Sequence, residues 1–192
     1  MRPLSRTFSL PGLRAALAVA SLAAASGAAS GQTQAAVKRL SDKTFEVSGR
    51  FTVAASTTLV WEVLTDYEHI PAFVSSMRSS RVVETRADGS LLVEQQAIGG
   101  MSIFSRTVRV LLEVRRSPGR LLFTDVGRAD FLSYSGEWTV RPTGGGAGVG
   151  YHLLLQPRFF APSFLLSRAM RRGARGLLDQ VRAEIVRRTR AR

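Results

Sequence analysis

The chain has 192 residues, with 27 Lys+Arg against 14 Asp+Glu, a formal charge of +13, 45% hydrophobic residues and no cysteine. The length suits one domain and the apolar fraction is enough for a packed core, which excludes a disordered chain and a disulfide-stapled miniprotein. Without cysteine there is no thiol catalysis, zinc–thiolate site or iron–sulfur cluster, and His69 and His152 alone leave little for a transition-metal centre.

Residues 1–28 read as a secretory signal peptide. Arg2, Arg6 and Arg14 form a positive start without acid, Ala15–Ala25 is apolar, and small residues cluster at Ser26–Gly31, which places cleavage near 28–30. The apolar run is shorter than the roughly 20 residues of a membrane helix. No adjacent arginine pair precedes it, so the expected destination is a bacterial periplasm through the general secretory route. An uncleaved anchor or an Ala-rich tail is the other reading. After cleavage at Ala28 the net charge is +10, and +7 of it lies in Ser167–Arg192, where nine arginines meet only Asp179 and Glu184.

Residues 29–43 are expected to form a flexible linker and 44–188 the folded domain, with 189–192 a basic tail. Phe45–Val53 alternates apolar and polar residues and predicts a half-buried strand. Ser56 can cap a short helix, about Thr57–Asp66, that buries Val60, Trp61 and Leu64. Tyr67–Phe73, with Pro71, reads as a turn and a second short helix. Strands follow at Arg81–Arg86 and Leu91–Ile98, joined by the turn residues 87–90, then at Ile103–Val114 and Leu121–Val126. Tyr134, Trp138 and Val140 share a face of the next strand, and a Gly-rich turn at 143–148 leads into Val149–Gln156.

Pro157 and Pro162 end the sheet, and a long helix spans about Ser163–Arg188. Its apolar stripe is Leu166, Met170, Ala174, Leu177, Val181 and Ile185. Gly173 and Gly176 are costly inside a helix, by roughly 1 kcal/mol each, and point to a close approach or a kink. Seven antiparallel strands must bury one face, and this helix is the only large apolar element available to them. The fold class is therefore α+β, a curved antiparallel sheet wrapped around one long helix. One helix does not fill such a sheet everywhere, so an internal apolar cavity for a small hydrophobic molecule is expected.

The stretches FTVAAS at 51–56, VWEVLTDY at 60–67 and IPAF at 70–73, with GEW at 136–138 and the final helix, resemble START-like proteins of the polyketide cyclase/dehydrase type. The resemblance spans about residues 44–188. It implies a helix-grip fold with a hydrophobic cavity between sheet and helix. Coenzyme Q-binding START proteins are similar in layout, beside aromatase/cyclases, lipid transfer proteins and a ribosome-associated toxin. This superfamily has no universal catalytic residues to carry over, so none is assigned, and no cofactor is expected.

The expected cavity lining is Tyr67, Phe73, Val93, Gln95, Phe104, Arg106, Val108, Phe123, Tyr134, Trp138, Tyr151, Met170 and Leu177. Arg106 stands out, because an inward Arg in an apolar space needs an anionic or carbonyl partner. An internal salt bridge to Asp66, Glu94 or another carboxylate, or a side chain reaching the rim, is the plainer alternative. His152 falls on the polar face, and His69 lies in a turn at the surface or an entrance. Phe159, Phe160 and Phe164 beside prolines cannot all point inward. With Arg168, Arg171, Arg172 and Arg175 they form an aromatic-plus-basic edge suited to an anionic bilayer, or an ordinary loop packed on the helix start.

A leader removes the chain from nucleic acid, and the Gly-rich turn lacks the Lys and following helix of a phosphate loop. The leading expectation is an exported, monomeric, non-enzymatic binder or carrier of a hydrophobic molecule such as a quinone or lipid, with no metal and no nucleic acid partner. A cyclase- or dehydratase-like enzyme using the same cavity is the alternative, and an exported adaptor with a vestigial cavity the third.

Overall fold

A computed structural model describes residues 32–41, 43–99 and 106–192; the leader and Phe104 lie outside the described residues. The chain runs β1 (Gln34–Arg39), β2 (Phe45–Val53), α1 (Thr57–Leu64), a 3-10 turn (Tyr67–His69), α2 (Ile70–Phe73), β3 (Met77–Thr85), β4 (Leu91–Gly99), β5 (Arg106–Ser117), β6 (Arg120–Asp125), β7 (Phe131–Thr143), β8 (Gly146–Pro157) and α3 (Ser163–Arg190). The strands form one antiparallel sheet in the order β1-β2-β8-β7-β6-β5-β4-β3. With α3 against its concave side this is the helix-grip fold.

The sheet has eight strands rather than the expected seven. The extra one is β1, in the segment expected to be a linker, where Gln34–Arg39 pairs with Phe45–Arg50. Elsewhere the alternation in the sequence is the alternation in space. Phe45, Val47, Phe51 and Val53 of β2 and every second residue of β8 from Ala147 to Leu155 are buried. Ser56 caps α1 as expected, its Oγ accepting from the Leu59 N–H at 3.2 Å.

α3 does not lie centrally in the sheet. It packs on β1, β2, α1 and α2. Gly49 makes this possible: a Cβ there would stand 2.2 Å from Leu178 Cδ1, so the helix sits directly on bare β2 backbone. The buried apolar stripe of α3 is Ala174, Leu178, Val181 and Ile185, from its middle to its C-terminal end. Leu177, expected on that stripe, is half-buried at its margin instead, because both leucines fit a 3.6-residue period and the seat on Gly49 selects Leu178. Gly173 and Gly176 sit in open space on a continuous helix, so a close approach by the chain does not explain them.

Ion pairs fix the end of α3. Buried Glu184 accepts from Arg187 at 2.7 Å and from Arg188 Nε at 2.7 Å, and Arg188 Nη2 reaches Asp66 at 2.6 Å. Arg187 holds the Glu184 carboxyl below its ordinary value against the effect of burial, with help from Arg188. Burial pushes Asp66 up, but hydrogen bonds from His69 and Arg188 outweigh it and hold that carboxyl low as well. Depressed carboxylates stabilise the fold above their unfolded pKa values, and this contribution disappears as pH falls through the folded values. Denaturant unfolding at pH 7 and at about pH 3 should show a loss of stability on acidification, and Glu184→Gln should lose less over the same interval. An equal loss in both proteins would show that this cluster does not carry the pH dependence.

Candidate functional site

The sheet's concave face divides into two regions. Under the C-terminal part of α3 it is closed by Phe45, Val47, Val60, Val63, Leu178 and Ile185, all nearly inaccessible. Toward the other end the inward residues are only half-covered: Met77 on β3, Val108 and Val110 on β5, Tyr134 on β7, and Leu166 and Met170 on α3. The first half of α3 contains no buried residue before Ala174. Apolar surface left half-covered between a sheet and a helix is where a hydrophobic ligand would add contacts that the protein does not make with itself.

Between these regions stands an aromatic cluster on β6, β7 and β8. The Phe123 ring is 6.0 Å from Tyr134 and 6.3 Å, stacked, from Tyr151. Phe131 lies 5.0 Å from Tyr134 and Trp138 lies 4.6 Å from Tyr151. Gly136 provides the room. A Cβ there would come within 2.2 Å of the His152 carbonyl oxygen and 2.7 Å of Phe123 Cζ, so the ring lies across bare backbone. Burial pushes both phenols up. They are therefore neutral donors, not bases, at physiological pH.

Tyr67 and Phe73 sit on the other flank, Tyr67 buried and Phe73 half-buried. The Tyr67 hydroxyl is buried with no hydrogen-bond partner, and burial pushes its pKa up to about 12 against the opposing charge of Arg116. Val93 is fully buried, and Gln95 donates to Ser80 Oγ at 3.1 Å. Val93 and Gln95 stand opposite Leu112 and Val110 in the sheet, which places both on the inward face.

Arg106 is not an inward charge in an apolar space. Its Nη2 pairs with Asp130 Oδ1 at 2.5 Å, its guanidinium lies 4.4 Å over the Phe159 ring, and its side chain is 43% exposed. It closes the rim at the start of β5. The carboxylate comes from the β6–β7 loop rather than from Asp66 or Glu94. That loop is tied down by buried Asp125, which accepts from the backbone N–H groups of Leu111, Gly127 and Arg128, the last at φ +51°. Sequence reading missed Phe131, Asp125 and Asp130. The register shift between Phe131 and Ser133 breaks the alternation that would have revealed Phe131, and a loop carboxylate's partner leaves no periodic signal. His152 Nε2 pairs with the Glu46 carboxylate at 2.9 Å on the outer face, and His69 Nδ1 with the Asp66 carboxylate at 2.6 Å.

The α3 start forms a separate surface. Phe164, Arg168, Arg171, Arg172 and Arg175 line one open groove of about 790 Å³ with Gly176 and Asp179. Phe160 is 94% and Phe164 71% exposed, whereas Phe159 is half-buried beneath Arg106, so the adjacent aromatics do point different ways. Arg187, Arg188 and Arg192 are paired with Glu184, Asp66 and Glu62. Among the described residues Arg168, Arg171 and Arg172 have no acidic partner, and Arg175 has only Asp179 at 3.8 Å. A second surface concavity of about 390 Å³, on the sheet between Arg115, Glu137 and His152, mixes these charged groups with Leu122 and Leu154.

Among the described residues no group of three or more His, Asp or Glu could hold a metal ion, and no helix is long and apolar enough to cross a membrane.

The sequence profile of a family described as polyketide cyclase/dehydrase and lipid transport matches residues 44–186. No curated protein sequence matches significantly. Among solved structures, an aromatase/cyclase, Zhui, from Streptomyces sp. R1128 superposes with a TM-score of 0.66 at 19% identity, covering 77% of this chain and 97% of that one. A STAR-related lipid transfer protein from Xanthomonas axonopodis gives 0.64 at 15% identity, covering 80% and 93%. A START superfamily protein from Mycobacterium smegmatis gives 0.63 at 12%, covering 76% and 98%. These likenesses establish the fold.

Proposed function

Given that the chain belongs to the polyketide cyclase/dehydrase and lipid transport family, we propose that it is an exported binder or carrier of a small hydrophobic molecule held between the sheet and α3. The observation that carries the reading is the half-covered apolar surface of Val108, Val110, Tyr134, Leu166 and Met170 beside a closed core. An apolar ligand seated there gains roughly 25 cal/mol per Å² of buried apolar surface before ordering costs. The ligand class is a lipid, a quinone or a polyketide-like molecule. Among the proteins that share the fold, one is described as a lipid transfer protein and another as an aromatase/cyclase.

Export rests on the leader anatomy of residues 1–28, and the place of work is the periplasmic surface of an anionic bilayer. The arginine-lined groove of α3, beside Phe160 and Phe164, is the part of the protein that fits such a surface. The protein works as a monomer.

A cyclase- or dehydratase-like reaction in the same space is the second reading. What favours it is Tyr134, a half-buried neutral phenol beside the apolar surface that can donate to the oxygen of an enolising ketone. Titration with an environment-sensitive apolar dye tests the carrier reading. Saturable binding at one site, displaced by lipid or quinone without chemical change of the displacer, is the expected result. Turnover of a polyketide-type substrate would replace it with the second reading, and a protein that binds no dye and no lipid would contradict both.

A further inference from the structure

We propose that the groove on α3 seats the headgroup of a lipid that carries two phosphates joined by a short bridge. The proposal rests on the bilayer-surface reading above and names the headgroup that this surface selects. The lining of the groove falls into two i,i+4 rows of one helix. Phe164, Arg168, Arg172 and Gly176 form one ridge. Ser167, Arg171, Arg175 and Asp179 form the next, and the concavity of about 790 Å³ is bounded by the two.

This arrangement sets the arginines in pairs across the groove. Arg168 neighbours Arg171, and one turn further on Arg172 neighbours Arg175, each pair three residues apart on the helix surface. The two pairs are four residues, about 6 Å, apart along the axis. A guanidinium presents a planar fork of donors that matches phosphate oxygens two at a time. Each pair is therefore one phosphate position, and two phosphates joined through a short polyol bridge fill both. A lipid with one phosphate fills a single position and leaves the other two like charges side by side.

The charges are open to a ligand, since all four arginines are exposed. Among the described residues only Arg175 has a carboxylate within ion-pair reach, Asp179 at 3.8 Å, and both of those side chains are more than half exposed. The rings identify the source of the phosphates. Phe160 and Phe164 are exposed, and Phe164 heads the first ridge. A soluble polyphosphate would leave both rings in water, whereas a bilayer takes them into its acyl boundary while its headgroups meet the arginines. At the other end of that ridge, no atom of the chain lies within 4 Å of where a Gly176 Cβ would stand, so the groove stays open there.

The test is flotation of the mature protein with phosphatidylcholine vesicles that contain cardiolipin, or twice the molar fraction of phosphatidylglycerol so that the surface charge is equal. The wild type should bind the cardiolipin vesicles about tenfold more tightly, the size of one further charge-assisted contact. Removing one pair, Arg172→Gln with Arg175→Gln, should abolish that preference. Lysine in place of all four arginines should keep phosphatidylglycerol binding and lose the preference, because the charge remains and the fork does not. Unchanged urea midpoints show that the variants are folded. If the wild type binds both charged vesicles equally and better than pure phosphatidylcholine, or if the preference survives in the variants, the headgroup assignment is wrong while the bilayer-surface reading stands. If it binds neither, that reading fails and this proposal with it. If inorganic pyrophosphate binds in calorimetric titration, and Phe160→Ser with Phe164→Ser leaves vesicle binding unchanged, the groove takes a soluble anion and the lipid assignment is overturned.

Discussion

Leu178→Ala is expected to destabilise the protein by about 2–5 kcal/mol, whereas Met170→Ala, two turns earlier on the same helix, should cost no more than about 1 kcal/mol. Leu178 is 0% exposed and rests on the bare backbone of Gly49, so its truncation leaves a cavity that neither helix nor strand can close. Met170 is half-covered and faces the open part of the sheet. Its removal should instead weaken binding of an apolar ligand. Urea unfolding of both variants checks the contrast. Comparable losses would mean that the first half of α3 is packed as core, and that no open surface exists between helix and sheet.

The second large effect concerns charge. Arginines in the last turn of a helix complement its dipole. α3 has no acid in its first turn, and its early arginines have almost no acidic partners, while Arg187, Arg188 and Arg192 at its end are paired. Replacing Arg168, Arg171, Arg172 and Arg175 together with Gln should reduce binding to vesicles containing anionic lipid about a thousandfold, at roughly 1 kcal/mol per arginine near the surface. Folding should be unaffected, because none of the four is buried. Flotation with phosphatidylglycerol-containing and purely zwitterionic vesicles reads the effect. Equal binding of the wild type to both, or unchanged binding of the variant, would contradict the bilayer-surface reading.

The course of the sheet was legible in the sequence wherever one face is buried and the other wet. β2 and β8 alternate so regularly that their inward residues could be named, and Tyr134, Trp138 and Tyr151 lie together where parity put them. β1 escaped notice because QAAVKR is short, small and polar at the sheet's edge, with no buried residue to mark it. Contacts between distant segments were not legible. Nothing in the local pattern ties Arg106 to Asp130, or makes α3 sit on Gly49 through Leu178 rather than Leu177. Parity states which face a side chain takes, but not how far the helix covers that face. The site depends on this second quantity, since the lean of α3 toward β1 and β2 separates closed core from half-covered surface.

Native mass spectrometry with organic extraction, on protein recovered from the cells that make it, reads whether that surface is occupied. The proposed function requires a chain beginning near residues 29–31 that carries one hydrophobic molecule per protein, released into solvent and identifiable as a lipid, quinone or polyketide-like compound. A chain that arrives empty, and stays empty when offered such molecules, would contradict it.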